Sequence, residues 1–246
     1  MNKNLLKRIV LTSAIAVLGV STSFAALVME RDQSVDTAPS VGMYRFEVPV
    51  ELQGTYNSAG VANLTASMEK EPNTLSMNVA HVKGNPSESY VVEIYKDLAA
   101  IETHRKSDHY QAFVNEVGSK LTNRKMYDVQ SVLLFEKKDA LSIVNDGKAV
   151  VTLTEFTVDS NEIDTVQRQY QLDMERAVRD DVGYKAGYVL RERNAKNRWY
   201  IIQIYSNQEA LTKHLNSPGY RFMMSQIQGS LQGVTTKVLD GDILVN

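Results

Sequence analysis

The distribution of apolar and polar residues along the chain predicts eight β-strands. Each stretch is rich in β-branched or aromatic residues, and the eight are residues 43–50, 75–82, 90–95, 129–135, 150–158, 184–191, 199–205 and 234–244. Residues 51–68 and 161–179 are predicted to be helices, and apolar residues in the second recur close to helical spacing. Shorter helices are expected after four residues of types that commonly serve as N-caps, namely Asp97, Ser107, Asn207 and Ser217.

The second half of the chain repeats the first in one constant register, without a gap. In this register His104 aligns with His214 and Tyr110 with Tyr220, and it holds from the first strand to the last helix, which indicates a duplication. Each half has the order β-α-β-β-α-β of a ferredoxin-like unit, whose sheet carries helices on one face only. Because the other face needs cover, we predict an α+β fold in which two ferredoxin-like units in tandem form an intrachain dimeric α+β barrel. The predicted domains are residues 43–136 and 149–246, joined by a linker at 137–148.

Charge and composition argue against a nucleic-acid partner. The chain has 246 residues and a net charge of −2, and its 27 basic residues are spread among 29 acidic ones. A polyanion would require clustered Lys and Arg. No cysteine is present, so disulfides and thiolate metal sites are excluded.

The N-terminus resembles a secretory signal peptide. Lys3, Lys7 and Arg8 precede an apolar run at residues 9–20, and Ser23-Phe24-Ala25 provides small residues where a signal peptidase cleaves. An uncleaved anchor is the alternative, but the run is short for a bilayer span. We therefore expect residues 1–25 to be removed and the mature protein to be periplasmic, without a membrane anchor.

Alternation on the third strand of each half selects the residues expected inside the barrel. Val92, Ile94, Ile202 and Ile204 are expected to pack under the helices, so the intervening side chains should face the interior. The inward set is Val91, Glu93 and Tyr95 in the first half and Ile201, Gln203 and Tyr205 in the second. A carboxylate and two phenols in an apolar cavity are typical of a small-molecule site, and burial would make the carboxylate a usable acid or base. The alternative is that Glu93 pairs with a buried base and the tyrosines bond to the backbone.

The histidines give only a weak metal signal. His104 and His109 are separated by a helix break, which is not a helical ligand pair, and no acid stands beside them at a recognised spacing. A structural role at the turn near Ser107 is the alternative for His104, whereas His109 has no counterpart in the second half, where Gly219 stands. Trp199 is expected in the core or at the rim of the site. No phosphate-binding loop is present, and we expect neither a cofactor nor a metal.

These residues together resemble the antibiotic biosynthesis monooxygenase family. The resemblance is carried by the stretch Met-Glu-Lys-Glu-Pro-Asn-Thr-Leu at residues 68–75, by Glu-Ile-Tyr-Lys-Asp at 93–97, and by Ala100, His104, Ser107 and His109. Asn73 departs from the glycine usual there, and asparagine tolerates a left-handed turn position. The second half has lost the strand carboxylate, with Gln203 in its place, and the second histidine, so it is expected mainly to close the barrel.

The resemblance implies cofactor-independent oxygenation of a quinol or a similar small aromatic. It implies Glu93 or His109 as the base, with Tyr95 and His104 orienting the substrate. Tyr205, Gln203, Val91 and Trp199 are the expected substrate-binding residues. The alternative function is a non-catalytic periplasmic binding protein for a hydrophobic small molecule. In either case we expect a monomer or a loose homodimer.

Overall fold

The computed structural model describes residues 26–28, 39–137 and 141–246. The predicted signal peptide therefore lies outside the described residues. No helix in the described residues is long and apolar enough to cross a membrane.

Each half has the predicted order of elements, with the second helix of each unit divided in two. The first unit contains β2 (Ser40–Glu47), α1 (Gln53–Lys70), β3 (Thr74–Val82), β4 (Asn85–Tyr95), α2 (Leu98–Lys106), α3 (Asp108–Glu116), β5 (Thr122–Tyr127) and β6 (Val129–Glu136). The second contains β8 (Val150–Val158), α4 (Ile163–Asp180), β9 (Tyr184–Glu192), β10 (Arg198–Tyr205), α5 (Gln208–Leu215), α6 (Pro218–Ile227) and β11 (Leu231–Val245). A short strand β1 (Ala26–Val28) pairs with β6, and β7 (Ser142–Val144) in the linker pairs with β11.

The register of the repeat holds in three dimensions. Helices α1 and α4 begin and end at aligned positions, as do strands β3 and β9. The predicted N-caps are also confirmed: the side chain of Asp97 accepts from the backbone N–H of Ala100, and that of Asn207 accepts from Ala210. Ser107 and Ser217 likewise cap α3 and α6.

The two units form one antiparallel sheet by exchanging their last strands. The first part of β11 pairs with β8 of its own unit, and its last part pairs with β3 of the first unit. In the first unit the corresponding strand is interrupted at Asp128, so β5 pairs with β2 while β6 pairs with β9 of the second unit. Among the described strands the hydrogen-bonded path is open, because β5 lies at one end and β6, followed by β1, lies at the other. The predicted barrel is therefore not closed by a continuous ladder of hydrogen bonds.

The prediction of which strand face meets the helices was wrong. Val92, Ile94, Ile202 and Ile204 pack together in the interior shared by the two units. Val91 and Tyr95 instead pack under the helices of the first unit, and Ile201 and Tyr205 under those of the second. Both faces of these strands are apolar, so alternation alone could not distinguish them. The shared interior is a packed core of aliphatic and aromatic side chains, and the candidate site has to be sought under the helices.

Candidate functional site

A cavity of about 310 Å³ lies between the sheet and the helices of the first unit. Its apolar wall comes from β2, α1, β3, β4, α2, α3 and β11, and consists of Phe46, Gly60, Leu64, Val79, Val91, Ile101, Phe113 and Ile243. The residues with polar groups that line it are four tyrosines (Tyr44, Tyr56, Tyr95 and Tyr110) together with Asn57, Asn63, Glu93, His104 and Arg105. A concave, mostly apolar space with a few polar groups is the usual form of a small-molecule site. Ile243 belongs to the exchanged strand, so the second unit completes the wall.

Glu93 contributes the carboxyl group that lines this cavity. Burial raises the pKa of its carboxyl to about 7, although the Tyr95 hydroxyl and the positive charge of Arg105 act against that rise. The Tyr95 hydroxyl donates to Oε2 of Glu93 at 3.0 Å, and burial raises the pKa of Tyr95 so that it stays protonated. A carboxyl that titrates near neutral pH can accept a proton from a weak acid and return it, which is the requirement for a general base.

A second cluster, Glu71 with His104 and His109, lies beside the cavity. Nδ1 of His104 is 3.1 Å from Oε2 of Glu71, and Nε2 of His109 is 2.7 Å from Oε1. Thr74 also donates to Oε2 of Glu71 at 2.8 Å. Burial lowers the pKa of His104, whose ring is almost fully inaccessible, and no described residue forms a hydrogen bond with its Nε2. Of this cluster only His104 lines the cavity.

The second unit has a different cluster at the equivalent positions. Asp181 replaces Glu71 and accepts from Nδ1 of His214 at 2.9 Å. Arg176 binds Asp181 at 3.0 Å and the buried Asp173 at 2.9 Å, so each carboxylate has a guanidinium partner. Burial opposes ionisation of Asp181, but the hydrogen bonds from His214 and Arg176 outweigh it and lower its pKa. This arrangement is an ion-pair network of one buried and two partly buried side chains.

The structure brings together only part of the predicted site. Glu93, Tyr95, His104 and Val91 all line the cavity, although from under the helices. His109 is not among the lining residues and contacts Glu71 instead. The alternative for His104 was a structural role at the Ser107 turn. Its backbone carbonyl has that role, because it accepts a hydrogen bond from the Ser107 hydroxyl at 2.7 Å. The ring of His104 faces Glu71 instead.

The three predicted substrate-binding residues of the second unit lie apart from the cavity. Tyr205 and Trp199 are fully buried in the core of that unit, and Trp199 donates to the carbonyl of Lys196 at 2.9 Å. Gln203 is buried too, and its amide lies 3.4 Å from the Tyr184 hydroxyl. None of the three is among the residues that line the cavity of the first unit.

Sequence reasoning missed Glu71, Asn63 and Arg105. Glu71 lies in the Glu-Pro stretch that carries the family resemblance, and the repeat aligns it with another acid, Asp181. That retained acid beside the repeated histidine was the signal that could have revealed the cluster. Arg105 and Asn63 have no such signal, because Leu215 and Asp173 occupy their positions in the second unit.

The family assignment follows from comparison with known domains. The sequence pattern of the family described as antibiotic biosynthesis monooxygenase matches residues 41–116 and again residues 149–225. The two segments make up more than half of the 246 residues. The chain belongs to the antibiotic biosynthesis monooxygenase family and carries two copies of its domain.

Solved structures show the same fold over most of the chain. A proposed monooxygenase from Lactobacillus acidophilus NCFM superposes with a TM-score of 0.75 at 19% identity, covering 85% of this chain and 96% of that one. A proposed monooxygenase from Fusobacterium nucleatum gives 0.73 at 20% identity, covering 85% and 95%. An anthrone oxidase-like protein gives 0.53 at 10% identity, covering 85% and 93%. At these identities the likeness concerns the fold alone, and no curated protein matches the chain.

Proposed function

We propose that the first unit is a cofactor-independent monooxygenase site for a quinol or a similar electron-rich phenol. The observation that carries the proposal is Glu93, a carboxyl whose pKa is raised to about 7 in an otherwise mostly apolar cavity. Family membership supports the reaction class.

The chemistry requires a base and an enclosed apolar space. Glu93 takes the proton of a substrate hydroxyl, and the resulting phenolate is electron-rich enough to reduce dioxygen itself. One oxygen atom enters the ring and the other leaves as water, so that a hydroquinone and O₂ give a hydroxyquinone and H₂O. The substrate supplies all the electrons. The Tyr95 hydroxyl orients the carboxyl, and the apolar wall keeps bulk water from the anion.

The rival function, a non-catalytic binding protein for a hydrophobic small molecule, uses the same cavity. It differs in needing no base. The pKa of Glu93 favours the enzyme, because a carboxyl kept near neutral pKa in a purely binding site would be destabilising without serving the ligand.

Oxygen consumption with simple quinols tests the proposal. The wild-type rate should fall at least about 100-fold in Glu93→Gln, which keeps the shape of the side chain but removes the base. Glu209→Gln, an exposed carboxylate of the second unit, is the matched control and should keep the wild-type rate. Quinol binding without oxygen uptake in the wild type would favour the binding protein. Equal turnover in wild type and Glu93→Gln would exclude Glu93 as the base.

We also propose that the protein acts in the periplasm as a monomer or a loose homodimer. Cleavage after Ala25 would place the mature N-terminus at Ala26, the first residue of β1, which pairs with Phe135 of β6. N-terminal sequencing of the protein recovered from periplasmic extract tests the cleavage site, and recovery of an intact Met1 there would contradict it.

A further inference from the structure

We propose that Glu71, His104 and His109 bind a divalent first-row transition-metal ion, with Zn²⁺ as the ion to test. Two imidazoles and one carboxylate are a recurring ligand set for such ions. His104 and His109 are close in sequence, whereas Glu71 lies much earlier in the chain. The turn after α1 brings Glu71 against the junction of α2 and α3.

The distances between the candidate ligand atoms fit one ion. Oε1 of Glu71 lies 2.7 Å from Nε2 of His109 and 3.2 Å from Nδ1 of His104. All three atoms lie within 4.8 Å of one another. Ligands at about 2.1 Å from an ion are about 3.0 Å apart in octahedral geometry and about 3.4 Å apart in tetrahedral geometry. A small rearrangement, in which Glu71 and His109 move slightly apart and the most widely separated ligand atoms move together, would therefore fill three coordination positions.

The surroundings of the cluster also suit metal ligands. Oε2 of Glu71 is held by the Thr74 hydroxyl, which leaves Oε1 for the ion. Hydrogen bonds of this kind to a ligating carboxylate are a usual feature of metal sites, because they fix its orientation. The hydroxyls of Ser67 and Ser107 lie 3.3 Å and 3.0 Å from the candidate nitrogen atoms of His104 and His109, and an ion would replace them there. Both hydroxyls keep a partner, because they also donate to the carbonyls of Asn63 and His104.

The second unit provides an independent indication that this corner takes a cation. There the guanidinium of Arg176 bridges Asp173 and Asp181, and it passes through the space that a side chain at position 219 would need. A Cβ atom on Gly219 would lie 2.2 Å from Nε of Arg176. The first unit has Ala66 at the position of Arg176 and His109 at the position of Gly219.

The buried carboxylate of Glu71 consequently has no permanently charged partner. Among the described residues its ion-pair partners are His104 and His109 alone. In the second unit Arg176 supplies a cation to the acid. In the first unit His109, a side chain that can ligate a metal, takes the place of that cation. An ion there would lie behind the cavity wall, since only His104 of its three ligands lines the cavity. The metal site and the cavity therefore share His104, but the proposed oxygenation does not use the ion.

Calorimetric titration of the full, chelator-treated protein with Zn²⁺ tests this inference. The wild type should bind one ion per chain, and His109→Ala should weaken that binding at least about 10-fold. His81→Ala is the matched control, since it removes a histidine that also lies beside carboxylates, Asp240 and Asp242, and it should leave the affinity unchanged. Equal Zn²⁺ affinity in wild type and His109→Ala, or no binding in the wild type, would overturn the site.

The Co²⁺ complex of the wild type gives a readout that does not depend on a variant folding. Two histidine ligands should give two paramagnetically shifted, exchangeable imidazole N–H resonances in the proton spectrum. One such resonance or none would contradict the assignment of both histidines as ligands.

Discussion

The two units have the same elements in the same order, yet the space between sheet and helices is used differently in each. In the first unit Gly60 lies at the cavity wall, and Glu93 reaches the cavity. In the second, Tyr170 occupies the position of Gly60 and stacks on Phe156 with ring centroids 6.0 Å apart. One residue with no side chain thus leaves room that an aromatic ring fills in the other copy.

The polar groups between the sheet and the helices differ in the same sense. The first unit has an amide on its helix, Asn63, and a carboxyl on its strand, Glu93, whereas the second has the reverse, Asp173 and Gln203. The helix carboxylate Asp173 is bound by Arg176 at 2.9 Å. The strand carboxyl Glu93 has no ion pair among the described residues and accepts a hydrogen bond from Tyr95. One copy of this duplicated domain thus pairs its acid with a guanidinium, whereas the acid of the other copy faces a cavity without an ion-pair partner among the described residues.

The largest effect is expected from breaking the ion-pair network of the second unit. Arg176→Ala should lower the free energy of unfolding by about 3 kcal/mol, because it leaves the buried Asp173 and the partly buried Asp181 without their guanidinium. Urea unfolding measures this. His109→Ala in the first unit should be clearly milder in metal-free buffer, and equal losses would mean that the two clusters have the same role.

Removing the carboxyl of Glu93 in the first unit should instead raise the free energy of unfolding. The pKa of Glu93 is about 7 in the folded protein against about 4.5 in the unfolded chain, so the folded state holds the proton more tightly. The contribution of Glu93 to the free energy of unfolding therefore falls as pH rises from about 4.5 to about 7. Glu93→Gln should raise the free energy of unfolding by about 2–3 kcal/mol at pH 8, and most of that gain should disappear at pH 5. A gain that is independent of pH would argue against the raised pKa.

Filling the cavity should convert the first unit to the packing of the second. Gly60→Tyr should weaken quinol binding at least about 100-fold, or about 2.7 kcal/mol, in anaerobic calorimetry. A Cβ atom at position 60 would lie 3.2 Å from Cδ1 of Ile243, so that side chain must shift by a few tenths of an ångström. This cost offsets the gain of about 1 kcal/mol from replacing a glycine inside a helix, and stability should change little. Gly54→Tyr in the same helix is the control, since a side chain there meets open space. Unchanged binding in Gly60→Tyr would place the ligand elsewhere.

The smallest effect is expected where the two units are alike. Asp97→Ala and Asn207→Ala each remove one N-cap hydrogen bond of 2.9 Å, and each should lower stability by about 1 kcal/mol. Thermal unfolding of both variants measures this. A large difference between them would show that one of these helix starts has a further role.

The sequence was sufficient to predict the duplication, because one register holds along both halves, and eight strands and four helix caps, because these depend on local spacing. It did not predict β1, β5 or β7, which are short or mostly exposed. It could not decide which face of β4 meets the helices. Val91 and Tyr95 on one face are as apolar as Val92 and Ile94 on the other, since the sheet is covered on both sides. The error put Glu93 in the barrel interior, but it left the pairing of Glu93 with Tyr95 unchanged, because alternate residues on a strand share a face whichever way that face points.

The Glu71 cluster could not be predicted from the spacing of the two histidines. His104 and His109 end up 5.9 Å apart between ring centroids because α2 ends and α3 begins between them. The carboxylate that joins them comes from the turn after α1, far earlier in the chain, and only the tertiary fold brings it there.

The pH dependence of quinol oxygenation tests the role of Glu93 most directly. The wild-type kcat/KM should rise with pH through an inflection near 7, as the carboxyl loses its proton and becomes a base, and then level off. Glu93→Gln should lack that inflection and retain about 1% of the rate or less. An inflection near 7 that persists in Glu93→Gln, or a wild-type rate that does not change between pH 5 and pH 8, would contradict the assignment of Glu93 as the base.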